Sequence, residues 1–217
     1  MTLAVRRRAA TRQVALDRSL EALPLFRLSD SADDTSITFE ADGGGRWRVL
    51  PAPGERLPGT FDQDVYVELC RRFHEADQPS DGSVSFTLHN FLRSIDRRVD
   101  GRTYDQLRSA LGRLERTTLE STGAYFSASA GAPMSGQFTV LSSVSIERRR
   151  HIDREQLGLF AAVPAFEPGV ARVVLHPLLR DNLASRHVIT LSLARYFALQ
   201  SPVARRLYRL LEIARAN

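Results

Sequence analysis

The segment that decides the fold is Thr103-Tyr-Asp-Gln-Leu-Arg-Ser-Ala-Leu-Gly-Arg-Leu-Glu-Arg-Thr117. Its large apolar residues recur at intervals of three and four, which is the spacing of one face of an α-helix. At roughly 100° per residue they lie within an arc of about 80°. This stripe consists of Tyr104, Leu107, Leu111 and Leu114. The pattern predicts a helix over 103–117 with the stripe in the core.

The other side of this predicted helix is polar and basic. Ser109, Arg113 and Arg116 fall opposite the leucine stripe, and Arg102 and Gln106 lie beside them. Guanidinium, amide and hydroxyl groups are the donors that proteins use to contact phosphates and base edges. We therefore predict these five side chains as DNA-binding residues.

The segments before this helix alternate between helix and strand. Phe61, Val65, Leu69 and Phe73 recur at helical spacing and predict a helix that ends before Gln78. A short strand over 83–86 follows, and Thr87 can cap a second helix over 88–95. A turn at 96–102 then leads into the helix at 103–117.

Two β-rich segments follow that helix, at 118–122 and 137–146, and a run of small residues over 127–136 joins them. We expect a β-hairpin with a long flexible tip. Helix, strand, helix, turn, helix and hairpin is the order of a winged helix, in which the third helix can enter the major groove. The predicted fold class is therefore α+β, a winged helix with a hairpin wing and additional C-terminal helices.

The ends of the chain have their own patterns. Residues 1–45 are predicted to form a basic N-terminal arm and flexible linker, and 46–217 the winged-helix domain. The last helix opens at Ser201 and Pro202. Its apolar side is predicted to carry Val203, Leu207, Leu210, Leu211 and Ala214.

The basic residues are all arginine, since none of the 30 is lysine. Without lysine the chain cannot build a phosphate-binding P-loop, a Schiff-base site or a kinase strand lysine. The codon preference of a GC-rich genome would be enough to explain why arginine is present and lysine is absent. Further candidate DNA contacts are two short arginine runs, Arg6-Arg7-Arg8 in the arm and Arg148-Arg149-Arg150 after the predicted hairpin.

The sequence gives little indication of an enzymatic site or a metal site. No two of the five histidines are two residues apart, no Gly-x-Ser-x-Gly motif occurs, and Cys70 is the single cysteine. We expect no catalysis, no metal and no cofactor. The chain has no apolar run of about 18 residues and no signal peptide, so we expect a cytoplasmic protein that does not bind a membrane.

Several motifs in a fixed order resemble the replication initiator protein A family of plasmids. They are Leu23-Pro-Leu-Phe26, Trp47-Arg-Val49, Gly82-Ser-Val-Ser-Phe-Thr87, Tyr104-Asp-Gln-Leu-Arg-Ser-Ala-Leu-Gly-Arg-Leu114 and Ser201-Pro-Val-Ala-Arg-Arg-Leu-Tyr-Arg-Leu-Leu211. The resemblance extends over 23–217. The turn at 96–102 is longer than the 3–4 residues of a simple helix-turn-helix.

The resemblance implies an iteron-type initiator, and this chain resembles the first of its two winged-helix domains. Such a protein binds origin repeats in double-stranded DNA of a plasmid or secondary replicon, and the second domain is the main reader of the repeats. The implied partners are origin DNA, a second copy of the chain, and the host replication initiator and helicase. Two alternatives stay open: a winged-helix transcriptional regulator and a DNA-independent dimerisation module.

For the dimer, we expect an edge strand to pair across a twofold axis. The candidates are the strand around Trp47 and the segment Phe138-Thr-Val-Leu141, with Val140 as the test position.

Overall fold

The computed structural model describes residues 13–29, 35–41, 43–146 and 170–216. Its helices are α1 (Arg18–Ala22), α2 (Thr60–Glu75), α3 (Leu88–Ser94), α4 (Gly101–Arg116), α5 (Pro177–Ala184), α6 (Leu193–Ala198) and α7 (Pro202–Arg215). Its strands are β1 (Gln13–Asp17), β2 (Ile37–Ala41), β3 (Gly45–Leu50), β4 (Ser83–Thr87), β5 (Thr118–Ser127), β6 (Ala132–Phe138), β7 (Leu141–Ile146), β8 (Val170–Leu175) and β9 (Val188–Ser192).

The described strands form three antiparallel sheets. One pairs β1 with β9, the second has the order β2-β3-β5-β6, and the third has the order β4-β8-β7. Helix α4 packs on α2, α3 and β7, and α2 and α3 both pack on β4. This arrangement confirms the α+β class.

The central helices follow their sequence patterns. Leu107, Leu111 and Leu114 are fully buried, so the apolar side of α4 faces the core as predicted. Thr87 caps α3, because its hydroxyl oxygen accepts a hydrogen bond from the Asn90 N–H at 3.2 Å. Strand and helix therefore join without a loop.

The predicted hairpin is present as the pair β5–β6, with Leu119 opposite Phe138, but most of its predicted second strand has a different partner. Its second strand, 137–146, is divided between two sheets: β6 pairs with β5 and ends at Phe138, whereas β7 starts at Leu141 and pairs with β8. Between them Val140 is buried, and the Thr139 hydroxyl donates to the Leu141 carbonyl at 2.7 Å. The small-residue run at 127–136 is also mostly strand, with a turn confined to 128–131.

The prediction of a flexible arm and linker over residues 1–45 is wrong for residues 13–26. Strand β1 pairs with β9, with Leu16 opposite Ile189, and the side chains of Val14, Leu16 and Leu20 are buried. This segment is therefore part of the core. Residues 1–12 and 30–34 lie outside the described residues, and so do the two arginine runs, Arg6–Arg8 and Arg148–Arg150.

The two candidate dimer edges differ in the structure. Trp47 lies on β3, which is paired on both sides by β2 and β5, so this strand is not an edge. Val140 is 1% exposed, so its side chain is unsuitable as a test position, but β6 and β7 on either side of it are both edge strands. Edge-to-edge pairing at the second candidate therefore stays a prediction.

The last helix packs with its charged side inward. Arg209 is 2% exposed and its Nη1 lies 2.6 Å from Glu21 Oε2 on α1. Leu207 and Leu211, on the predicted apolar side, are 55% and 62% exposed. In the parts of the chain with described coordinates, no helix is both long and apolar enough to cross a membrane.

Candidate nucleic-acid interface

Helices α3 and α4 are joined by a turn that local hydrogen bonds fix. Asp96 adopts a positive φ of 55°, and the Arg97 N–H donates to the Leu92 carbonyl at 2.9 Å. Asp100 then caps α4, because its Oδ1 accepts from the Thr103 N–H at 2.9 Å. These contacts set the direction in which α4 leaves the turn.

The cap carries a negative charge. The hydrogen bond from the Thr103 backbone N–H, together with one from its hydroxyl, lowers the pKa of Asp100 below its ordinary value. An ionised carboxylate at a helix N-terminus is stabilised by the helix dipole. Asp100 is the reason that α4 begins at Gly101, two residues before the predicted start.

The N-terminal half of α4 presents three of the five predicted contacts to solvent. Arg102, Gln106 and Ser109 are all exposed. Their spacing of four and then three residues places them on one side of the helix over roughly 10 Å of its length. Arg108 is exposed beside them and forms an ion pair of 2.8 Å with Asp105.

The C-terminal half differs, because its arginines are paired with acidic groups. Arg113 is 11% exposed and contacts the buried Asp62 with two nitrogens, Nη2 at 2.7 Å and Nε at 3.2 Å. Arg113, which we predicted to contact DNA from the side opposite the leucine stripe, is therefore held against Asp62 and does not project freely into solvent. Arg116 is 48% exposed, and its Nη2 lies 2.5 Å from Glu55 Oε1.

An open cleft of about 300 Å³ lies between this half of α4 and the loop before α2. It is polar, and its lining carries three guanidinium groups against one carboxylate. The lining residues are Gly54, Glu55, Arg56, Ser109, Arg113 and Arg116. This composition suits an anion such as a phosphate.

Two basic side chains near α4 were missed by sequence reasoning. Arg93 at the end of α3 and Arg98 in the turn are exposed, the latter with 89% of its side chain accessible. Nearby, the ring of His89 lies 3.3 Å from the Tyr104 hydroxyl, which joins the exposed side of α3 to the first turn of α4. The Arg97-Arg98 pair in the turn is the sequence signal that could have indicated this basic surface.

The sheet β4-β8-β7 supports α4 from the other side. The Val144 N–H on β7 donates to Glu115 Oε1 on α4 at 2.9 Å. Strand β7 pairs with β8, and at the far end of this pair Ile146 lies opposite Ala171.

Metal or nucleophilic chemistry is not suggested by the described residues. Among them, no three His, Cys, Asp or Glu side chains converge in a way that could hold a metal ion. Cys70 is buried, and burial raises the pKa of its thiol well above the ordinary value. A thiol in that state is a poor nucleophile.

Two solved structures have a similar fold. A selenomethionine derivative of domains 2 and 3 of RctB matches with a TM-score of 0.59 and 13% identity, over 88% of this chain and 70% of that one. A second structure of RctB domains 2–3 matches with a TM-score of 0.51 and 14% identity, over 89% of this chain and 65% of that one. At these identities the similarity concerns the fold alone.

Sequence comparisons extend over nearly the whole chain. A protein named "Putative replication protein" from Wigglesworthia glossinidia brevipalpis is 25% identical over 198 residues. The match spans 89% of this chain but 64% of that relative's length. The profile of the family described as replication initiator protein A matches residues 16–216. The resemblance found in the sequence motifs is thereby confirmed, and this chain belongs to the replication initiator protein A family.

Proposed function

We propose that this chain is a non-enzymatic, DNA-binding part of a replication initiator. The chain binds origin repeats in double-stranded DNA through α4, and it associates with a second copy of itself. The observation that carries the DNA-binding part is the exposed row Arg102, Gln106 and Ser109 on a helix whose other side is buried. A rigid helix of this kind can present several donors to a groove at once.

The topology supports a winged helix with a different wing from the one expected. Helix α2, strand β4, and helices α3 and α4 follow in the order of that fold, and β7 and β8 complete a sheet with β4. We assign the wing to the β7–β8 pair. In sequence, Arg148, Arg149 and Arg150 lie in the connection between these strands, so they stay candidate phosphate contacts.

The family and the name of the relative support a role in replication. Because this chain spans 64% of that relative, the activity of a whole initiator is a proposal for this chain. Contacts with a host replication initiator and helicase stay predictions of the resemblance.

Duplex binding can be measured by fluorescence anisotropy at several salt concentrations, using origin-repeat DNA and a random duplex. Arg102→Ala should weaken binding to both duplexes and reduce the slope of log K against log salt by about 0.9 if one phosphate contact is lost. Gln106→Ala should instead reduce the preference for origin repeats, because an amide reads base edges.

The control is Arg46→Ala, which removes an exposed arginine from β3 in a different sheet and should leave binding unchanged. Wild-type affinity and slope in Arg102→Ala would contradict the assignment to α4. Absence of salt-dependent binding in the wild-type chain would favour the DNA-independent dimerisation module.

A further inference from the structure

The exposed side of α7 is a contiguous apolar surface. Val203, Leu207, Leu210 and Leu211 are 50%, 55%, 37% and 62% exposed, and we call them together with Ala214 the α7 stripe. The other large exposed hydrophobic residues of the described chain, Leu28, Phe39 and Val170, belong to three separate segments. Isolated exposed hydrophobics are ordinary, whereas a contiguous stripe indicates an interaction surface.

Helix α7 cannot bury this stripe by rotating, because its arginines hold the opposite side. Arg209 and Glu21 form a buried ion pair at 2.6 Å, and both side chains are 2% exposed or less. Arg205 Nη1 lies 2.7 Å from the buried Asp64 Oδ1. Rotation would separate these pairs and leave buried carboxylates without partners, which is strongly unfavourable.

The spacing within the stripe is that of a helix–helix contact. Positions 203, 207, 210 and 214 alternate steps of four and three residues, which is the a/d pattern of a coiled-coil seam. Leu211 widens the seam on one side. A seam without charged side chains does not suit DNA or an acidic partner, so the surface fits an apolar helix.

We propose that the partner helix is α7 of a second copy, packed antiparallel about a twofold axis. If Leu207 faces the partner's Leu210, then Val203 faces the partner's Ala214, so a larger side chain meets a smaller one at both ends. Such self-complementarity is what an interface between identical surfaces requires. This inference rests on the self-association in the proposed function and names its surface.

The size of the contact sets its strength. Helix α7 has 14 residues and is about 21 Å long. A contact between two helices of this length is small beside the roughly 1,200 Å² that stable interfaces bury, so we expect a weak and reversible association.

Sedimentation equilibrium of the full chain tests this association. From about 1 to 100 µM, a range that spans a weak interface, the mean mass should rise from the 24.3 kDa of the monomer towards twice that value. Leu207→Glu places a charge in the seam and should weaken dimerisation at least about tenfold. Phe39→Glu is the matched control, because Phe39 is 41% exposed on β2 and should have no effect.

Circular dichroism of each variant establishes that it is folded. A mass that stays at 24.3 kDa, a dimer that persists in Leu207→Glu, or equal dissociation by Phe39→Glu would each overturn the α7 dimer. Duplex binding by Leu207→Glu, measured at submicromolar protein, should equal that of the wild type. The two proposals can therefore be separated: DNA binding can be absent while the α7 dimer is observed, and the dimer can be absent while DNA binding is observed.

Discussion

Arg113 Nη2 lies 2.7 Å from Asp62 Oδ1, and the carboxylate of Asp62 is fully buried. The same carboxylate accepts the Gly59 N–H at 2.7 Å, which caps the start of α2. Arg113 therefore joins α4 to the N-terminus of α2. An arginine on the polar side of an amphipathic helix is here a packing residue.

Removing this partner should destabilise the fold. Arg113→Ala leaves Asp62 charged, buried and half-paired, so we expect the free energy of unfolding to fall by about 3 kcal/mol or more. Urea denaturation measures this change. Arg116→Ala is the control, because its exposed ion pair with Glu55 contributes no more than about 1 kcal/mol. A stable Arg113→Ala variant with weakened duplex binding would instead show that Arg113 contacts DNA.

The parts of the fold that were predictable depend on local patterns. The stripe of α4 is periodic over about three turns, and Thr87 and Pro202 mark helix starts by their own chemistry. Each of these features follows from residues only a few positions apart. The order from α2 to α4, and with it the exposed row from Arg102 to Ser109, could therefore be deduced.

The parts that were not predictable depend on distant partners. Arg113 pairs with an acid 51 residues away, and Arg209 with one 188 residues away. Periodicity showed two faces on α7 but could not show that its arginines would find buried acids and turn the leucines outward. Likewise, the break at Thr139 and Val140 is visible only once β7 has β8 as its partner.

Two leucines, Leu111 and Leu211, provide a paired test of these helix faces. Leu111 on α4 is fully buried, so Leu111→Ala should lower the free energy of unfolding by roughly 2–5 kcal/mol through the cavity it leaves. Leu211 on α7 is 62% exposed, so Leu211→Ala should change stability by about 0.5 kcal/mol or less at dilute protein. Thermal or urea unfolding of both variants measures the difference. Equal losses would show that the α7 stripe is covered within the monomer.

A buried carboxylate, Asp17, should make stability depend on pH. Asp17 ends β1 and accepts hydrogen bonds from the Tyr125 hydroxyl, from the Asn182 amide at 3.1 Å and from the Ser19 N–H at 2.9 Å. Burial outweighs these donors and raises the pKa of Asp17 from 3.8 to about 7. The folded state therefore binds this proton more tightly than the unfolded state.

Asp17 thus favours folding most at low pH. Its contribution to the free energy of unfolding should decrease by up to about 4 kcal/mol as the pH rises from about 4 to about 7, at roughly 1.4 kcal/mol per pKa unit. Above about pH 7 it should stay constant. Urea unfolding of wild type and Asp17→Asn at several pH values isolates it. Burial lowers the pKa of His187 and of His176, which gives the opposite slope, but both histidines are present in the two proteins. Parallel pH profiles would exclude a raised Asp17 pKa.

The cleft beside α4 offers a gain-of-function test. Glu55 is its one carboxylate and neutralises Arg116 at 2.5 Å. Glu55→Gln keeps the shape of the side chain but frees that guanidinium, so we expect duplex affinity to rise several-fold. If Arg116 gains a phosphate contact, the slope of log K against log salt should steepen by about 0.9.

The control for this variant must change the net charge equally without altering the cleft. Glu120→Gln does so, because Glu120 lies on β5 and its Oε2 pairs with Arg48 of β3 at 3.3 Å, within the other sheet. A rise in affinity confined to Glu55→Gln would extend the DNA surface from the exposed row of α4 into the cleft. An equal rise in both variants would instead reflect the stronger long-range attraction of DNA to a more positive protein, because that attraction depends on total charge whereas a phosphate contact depends on position.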